Sequence, residues 1–441
     1  MQYKAYSLHN FKTIPQVQKL SAEQIRDIEI VGSVLPFRTN NYVIDELIDW
    51  NAVPDDPMFI ATFPQKAMLA PADYRLMRDL HDSGADSQAI QDAVRKIRLR
   101  LNPHPAGQQE FNTPVMDGET LQGLQHKYRE TVLFFPGQGQ VCHAYCTFCF
   151  RWPQFTKMEE LKISSCEVES LVSYLAAHPE VTDVLFTGGD PMTMKALVMA
   201  RYIEALLVPE LAHIRTIRIG SRSLTFWPYR FVTDPDAAEM LDLFRKVRAA
   251  GKHLSFMAHF NHPVELEPEI VRDAIRRIQE TGAVIRTQSP LLKHINDAPE
   301  IWAELWRRQV ALNCVPYYMF IARDTGAQRY FSVPLVRAWE IYRQAFQSVS
   351  GICRTAGGPS MSAFPGKVQV LGVAEVAGEK VFVLRMVQGR DPDWAARPFF
   401  AAYDERATWF DDLKPAFGKK EFFFEEELQV LLTPGEYEGC F

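Results

Sequence analysis

The sequence predicts an α/β chain whose centre is six short strands, each followed by a helix. Three observations predict it. Between about residues 130 and 350, short β-branched or aromatic runs alternate with amphipathic helical stretches, the pattern of parallel strands with crossover helices. Before that, helical patterns are separated by proline-containing loops such as Val53-Pro-Asp-Asp-Pro. After it, Lys367–Val373 and Lys380–Met386 alternate as paired strands do. The expected organisation is a helical N-terminal domain over 1–115, a central α/β domain over 116–350 and a C-terminal region over 351–441.

In chain order, Ser21-Ala-Glu-Gln-Ile-Arg-Asp-Ile and Ser87-Gln-Ala-Ile-Gln-Asp-Ala-Val-Arg-Lys-Ile read as helices of the N-terminal domain. The central strands are expected at Thr131–Phe135, Asp183–Thr187, Arg215–Gly220, Leu254–His259, Val284–Ser289 and Cys314–Phe320. A helix over Ser164–Ala177 is expected from a Ser164/Glu167 capping box and from Val168, Leu171, Val172 and Leu175 at helical spacing. Such units form either an open partial barrel or a doubly wound sheet, and in both the chemistry belongs at the C-terminal ends of the strands. The tail from Glu421 to Leu428 reads equally as helix or edge strand.

Composition narrows the class. With 47% hydrophobic and 23% charged residues the chain is of ordinary globular make-up, and a net charge of -6 advertises no surface for nucleic acid. No long apolar run marks a membrane span or a leader, so a cytoplasmic protein is expected. Seven cysteines, three of them between 142 and 149, do not make a disulfide scaffold. Cys166, Cys314, Cys353 and Cys440 are scattered singly and read as small apolar residues.

The polar segments fall where strands are expected to end: Cys142 to Arg151 after the first, Thr187-Gly-Gly-Asp190 after the second, Gly220-Ser-Arg222 after the third, His259-Phe-Asn-His262 after the fourth and Gln288-Ser289 after the fifth. Cys142, Cys146 and Cys149 are spaced C-x3-C-x2-C. Structural zinc needs four closed ligands, and no second C-x2-C pair exists; His143, next to Cys142 in a tight loop, would point away. A [4Fe–4S] cluster on three thiolates leaves one iron open for a small molecule.

This stretch, with Phe148 as the aromatic before the last cysteine, resembles the signature of the radical SAM superfamily, in which S-adenosylmethionine (SAM) chelates the open iron. Gly188-Gly189-Asp190 resembles the segment that meets the methionyl amine, with the glycines admitting the ligand and Asp190 accepting from its ammonium. His126-Lys-Tyr128, Cys149-Phe-Arg151, Arg218-Ile-Gly-Ser-Arg222, His259-Phe-Asn-His-Pro263, Gln288-Ser-Pro-Leu-Leu, Asn296-Asp297 and Pro316-Tyr-Tyr318 follow the order and spacing of lysine 2,3-aminomutase-like proteins over about 115–360. The resemblance implies a partial (β/α)6 radical SAM barrel. It further implies cluster ligation by the three cysteines and SAM contacts from Phe148, Gly188, Gly189, Asp190, Ser221, Arg222, His259 and Gln288. Arg151 would meet a substrate carboxylate, Asp297 a substrate amine, unless it caps the helix that follows, and Tyr128 would lie at the substrate. An electron donor such as flavodoxin or ferredoxin and a homo-oligomeric state are also expected.

The sequence departs from that family at Arg354-Thr-Ala-Gly-Gly-Pro-Ser-Met-Ser. There the aminomutases carry an aspartate and a longer glycine run ending in the lysine that binds pyridoxal phosphate. Thr355 and Pro359-Ser360-Met361 stand instead, Thr131 stands near a phosphate-binding arginine, and the family's C-terminal zinc cysteines are absent, only Cys440 lying in the tail. Lys367 is the nearest lysine. The expected reaction is hydrogen abstraction from a small amino-acid-like molecule, followed by rearrangement, elimination or epimerisation without pyridoxal phosphate. The alternatives are an aminomutase with a relocated lysine, modification of a lysine on a protein partner, and a non-catalytic iron–sulfur protein.

Overall fold

A computed structural model describes residues 1–102, 111–156, 158 and 162–432; Cys440 lies outside them. One open eleven-stranded sheet dominates. Its centre is six parallel strands in sequence order: Thr131–Phe134, Asp183–Phe186, Thr216–Ser221, His253–His259, Val284–Leu291 and Val315–Ile321. Leu124–Tyr128 adds an antiparallel edge on one side. On the other, Gly357–Ser362 continues the parallel run, and Gly366–Val376, Glu379–Gly389 and Pro398–Ala402 follow antiparallel. The sheet does not close on itself, which makes it a partial barrel.

Burial alternates along the strands and assigns their faces. In Val284–Leu291 the even-numbered residues are half-buried and the odd-numbered ones fully buried. In Thr216–Ser221, Ile217, Ile219 and Ser221 are buried, and Arg218 and Gly220 lie on the other face. The buried face packs helices such as Ala237–Ala249 and Glu269–Gln279, and the half-buried face is the concave interior. In these two strands Arg218, Arg286 and Gln288 are thereby delivered inward, while the apolar partners hold the helices outside.

The expected helix over Ser164–Ala177 begins only at Val168. Ser165 bridges to Pro136, its N–H donating to Phe135 O and its carbonyl accepting from Gly137 N, so the stretch is held extended. The predicted capping box is absent: Glu167 is the N-cap and makes no side-chain cap bond. The tail forms a helix, Glu425–Leu432. In the N-terminal part the helix Ala22–Val34 carries a complete Ser21/Gln24 capping box. It packs with Pro71–Asp82 and Ser87–Arg100 in a second apolar core that also takes in Trp152, Leu292 and Phe331. That core sits directly against the cysteine loop, with Phe148 and Cys149 packed on it.

Candidate active site

The cysteine loop is fastened at alternate residues by the N-terminal domain. His143 O accepts from Tyr3 Oη at 2.7 Å and from Asn40 Nδ2 at 3.1 Å; Tyr145 N donates to Arg38 O at 2.8 Å; Thr147 N and Oγ1 donate to Ala61 O and Ile60 O at 3.0 and 2.7 Å. The backbone between the cysteines is thus tied to residues 3–61, and Cys142, Cys146 and Cys149 form no disulfide and are half-buried. Nothing in the spacing of the cysteines foretold this role for the N-terminal helices.

Among the described residues no three His, Cys, Asp or Glu side chains converge on a single ion. His143 is turned away, its Nδ1 3.2 Å from Ser223 Oγ, and burial holds its pKa down to about 3, so it is neutral. Burial raises all three cysteines, with neighbouring thiols adding to it at Cys142 and Cys149 and Glu265 at Cys146, and it takes Cys149 to about 12. Thiols this shielded need a strong positive partner to ionise, which iron supplies.

Gly188-Gly189-Asp190 follows the strand Asp183–Phe186. Gly188 has φ +140, and a Cβ on Gly189 would lie 2.5 Å from Val141 N. The glycines are therefore required by the chain's own stem into Cys142, a reason additional to ligand approach. Asp190 has a structural use beside the one expected of it. Its N–H donates to Gly139 O and Val141 O, Oδ1 accepts from Met192 N at 2.9 Å, and Oδ2 accepts from Arg222 N at 2.8 Å and Ser223 Oγ at 3.1 Å. Both carboxylate oxygens accept from protein donors, so Asp190 latches the second strand's loop to the third's.

Arg222 is buried against the cysteines. Its Nη1 donates to Cys146 Sγ at 3.4 Å, and its guanidinium lies over the rings of Phe226 and Phe148 at 4.3 and 5.2 Å. Nη2 is 3.5 Å from Glu265 Oε2, yet neither Nε nor Nη2 has a hydrogen-bond partner among the described residues. Glu265, absent from the sequence reading, is fully buried and accepts from Thr225 Oγ1, Asn261 N and His262 N. A capping box at His262-Pro-Val-Glu265 was its only sequence signal. Ser221 is buried and its Oγ accepts from Ser223 N. His259 and Gln288 are register partners on adjacent strands, both half-buried on the concave face. Burial, with Arg222 adding to it, lowers His259 to about 3.

Arg151 lies over Phe135 at 4.4 Å and Phe150 at 5.0 Å, and burial lowers it to about 10. Tyr128 ends the first edge strand with Arg390 and Arg323 nearby, burial raising its hydroxyl. Asp297 lies in the turn after Val284–Leu291, beside His294 electrostatically. It does not cap the next helix, whose N-cap is Ala298 without a side-chain bond; the buried residue of the pair is Asn296, bonded to Leu292 N, Asn261 O and Pro290 O. Thr355 Oγ1 donates to Pro316 O at 2.6 Å. Lys367, at the start of its strand, stands inside the sheet's concavity, its Nζ 4.3 Å from the Tyr318 ring centre and 3.3 Å from Gln388 Oε1.

A provisionally named L-lysine 2,3-aminomutase of Aquifex aeolicus is 30% identical to the chain over 396 residues, 90% of this chain and 92% of that protein. The chain belongs to the lysine 2,3-aminomutase family. It is a radical SAM enzyme, and a [4Fe–4S] cluster and SAM are its cofactors. L-lysine 2,3-aminomutase of Acetoanaerobium sticklandii is 28% identical over 271 residues, 61% of this chain and 62% of that one. No protein-family model matches. Solved structures matched include a radical SAM methyltransferase from Sphaerobacter thermophilus at 16% identity, covering 65% of this chain and 94% of that chain with a TM-score of 0.36. Streptococcus suis SuiB bound to precursor peptide SuiA matches at 13% identity, covering 63% and 62% with a TM-score of 0.35. At those scores neither carries weight. No described helix is long and apolar enough to cross a membrane.

Proposed function

We propose that this radical SAM enzyme removes a hydrogen atom from an unactivated carbon of a small amino-acid-like substrate whose carboxylate Arg151 binds. Cys142, Cys146 and Cys149 hold the cluster in this reading, and the orphaned N–H groups of Arg222 beside Cys146 are the observation that supports it: a buried guanidinium with two unmet donors suits anionic sulfur and a methionyl carboxylate. When bound, the cluster and SAM supply a 5′-deoxyadenosyl radical by one-electron cleavage of the C5′–S bond, the electron coming from a small external donor such as flavodoxin or ferredoxin. The chain's own residues orient and shield. Glu265 holds Arg222, Asp190 locks the two strand-end loops together, and His259 and Gln288 line the concave face on the nucleoside side. Arg151, stacked on Phe135, offers its guanidinium to the substrate carboxylate.

Rearrangement, elimination or epimerisation without pyridoxal phosphate remains the preferred outcome, since Thr355 and Pro359-Ser360-Met361 replace the family's aspartate and lysine. A second reading has its own observation. Burial and Arg218 lower Lys367 to about 7, so that near neutral pH a substantial share of it is a free, nucleophilic amine at the start of Gly366–Val376, which suits imine formation with pyridoxal phosphate. Anaerobic reconstitution and reduction with SAM, scored for 5′-deoxyadenosine with candidate amino acids, tests the first reading. It fails if substrate-dependent 5′-deoxyadenosine does not appear or survives replacement of any of the three cysteines by alanine. Borohydride trapping with pyridoxal phosphate, mapped to Lys367, decides for the second.

A further inference from the structure

We propose that the concave face carries a second anion subsite besides Arg151, built from Lys127, Arg323, Lys367 and Arg390, and that the substrate is an amino-acid-like molecule with an acidic distal group. This rests on the reading of Arg151 above and names the substrate class of the same site.

The cations form a continuous row. Arg151 and Arg323 share one ring, with Phe150 5.0 Å from the first and 5.3 Å from the second. Lys127 Nζ donates to Ala363 O, and Arg390 Nε donates to the neighbouring Phe364 O at 3.0 Å, so these two meet at one turn. Lys367 follows three residues after Phe364 and bonds Gln388, two residues before Arg390. Four cations thus surround the start of the antiparallel strands, drawn there from four separate segments of the chain.

Among the described residues, the hydrogen bonds that Lys127, Lys367 and Arg390 donate go to carbonyl or amide oxygens, not to carboxylates, and Arg323 Nε has no hydrogen-bond partner. The carboxylate at that end of the concavity, Asp183, is taken by Arg218 through both oxygens and by Thr131 Oγ1. Asp324 and Asp411 face Arg323 and favour its charge, but burial outweighs them and its pKa stays lowered. Lys127 is likewise held well below the usual lysine range by burial and by Arg390, Arg323 and Lys367. Crowding and shielding push both lysines toward the neutral amine, and an arriving anion restores their charge. A distal ammonium, as on lysine, meets repulsion here, and Thr355, whose hydroxyl is already given to Pro316 O, supplies no counter-charge. A distal carboxylate or phosphate converts the same surplus into charge-assisted bonds.

The test titrates cluster-reconstituted protein with succinate, glutarate, adipate, L-glutamate and L-lysine, following thermal unfolding and binding heat. A dicarboxylate of the series and L-glutamate are expected to bind saturably and L-lysine not. Lys127→Gln and Arg323→Gln should each weaken the dicarboxylate about tenfold, equivalent to about 1.4 kcal/mol, and Lys127→Arg should retain it. L-lysine binding as tightly as L-glutamate, absence of dicarboxylate binding, or binding unmoved by both glutamine variants overturns the proposal. So does pyridoxal phosphate displacing the dicarboxylate and leaving a borohydride-stable adduct on Lys367, because the cations then serve a cofactor phosphate. These readouts need no turnover, so a failure to form 5′-deoxyadenosine strikes the radical reaction alone.

Discussion

Arg222 stands between the cysteine loop and a buried acid: its Nη1 is 3.4 Å from the sulfur of Cys146, and its far side faces Glu265. A fixed positive charge next to a cluster thiolate favours the reduced, more negative cluster. Arg222→Gln is therefore expected to move the cluster midpoint to a more negative value, by about 60 mV if the charge is worth a tenfold change in a one-electron equilibrium. Redox titration followed by electron paramagnetic resonance reads the shift, and an unchanged midpoint removes Arg222 from this role.

Asp190 is expected to matter for folding before it matters for binding. Asn at this position keeps the shape but turns one of two acceptor oxygens into a donor facing N–H or O–H groups of Met192, Arg222 or Ser223. The loss expected is about 2–4 kcal/mol, from one or two bonds and the unmet buried donors. Urea unfolding of the protein measures it; a change below 1 kcal/mol, roughly one ordinary hydrogen bond, contradicts the latch.

Asn40 ties the cysteine loop to two distant parts of the chain. Its amide donates to His143 O at 3.1 Å and Phe226 O at 2.9 Å, while its Oδ1 accepts from Val43 N, and the residue is fully buried. Asn40→Ala is expected to cost about 2–4 kcal/mol and to speed loss of iron from the reconstituted protein in air. Retention of iron at the wild-type rate separates a fold defect from a loosened cysteine loop.

Arg151→Met is expected to raise KM for the carboxylate-bearing substrate about 10- to 100-fold, the range of a lost charged hydrogen-bond pair. Iron content should be largely kept, since the Arg151 hydrogen bond to Cys149 comes from its backbone, which the substitution leaves, while its guanidinium lies over Phe135 and Phe150. Steady-state kinetics against iron content separates the two effects.

Lys367 predicts a pH signature. Its folded pKa, lowered to about 7 by burial and Arg218, lies below that of the unfolded chain, near 10.5. Between those values the unfolded state binds the extra proton, so this lysine makes stability rise with pH through that window and contributes no slope below it. Lys367→Met should flatten the rise. Equilibrium unfolding of both proteins at a series of pH values checks it, and parallel curves exclude the shift.

Much of the chemistry was readable before any coordinates. The six central strands lie within a residue or two of their predicted ends because each is an apolar run bounded by turn residues, and C-x3-C-x2-C is local enough to survive any arrangement of the rest. The helix start at Ser164 was misread, since pairing of Ser165 with Pro136 is a tertiary contact that overrode a good local capping pattern. The latch made by Asp190 was not legible, because its partners Met192, Arg222 and Ser223 are supplied by its own turn and by a different strand end. Glu265 gave no functional signal, because its value comes from facing Arg222.

By itself the sequence determined the strand-and-helix alternation, the three thiols and the family, all written in short stretches whose meaning depends on residue type and spacing. Only the tertiary structure decided that the N-terminal domain clasps the cysteine loop and that Lys127, Arg323, Lys367 and Arg390 stand together. Those facts join residues far apart in the chain, Tyr3 to His143 across 140 positions and Lys127 to Ala363 across 236, and no local period records them. Charge clustering is set by where strands end in space, and burial, which turns that clustering into a demand for an anion, exists only once the sheet has curved around it.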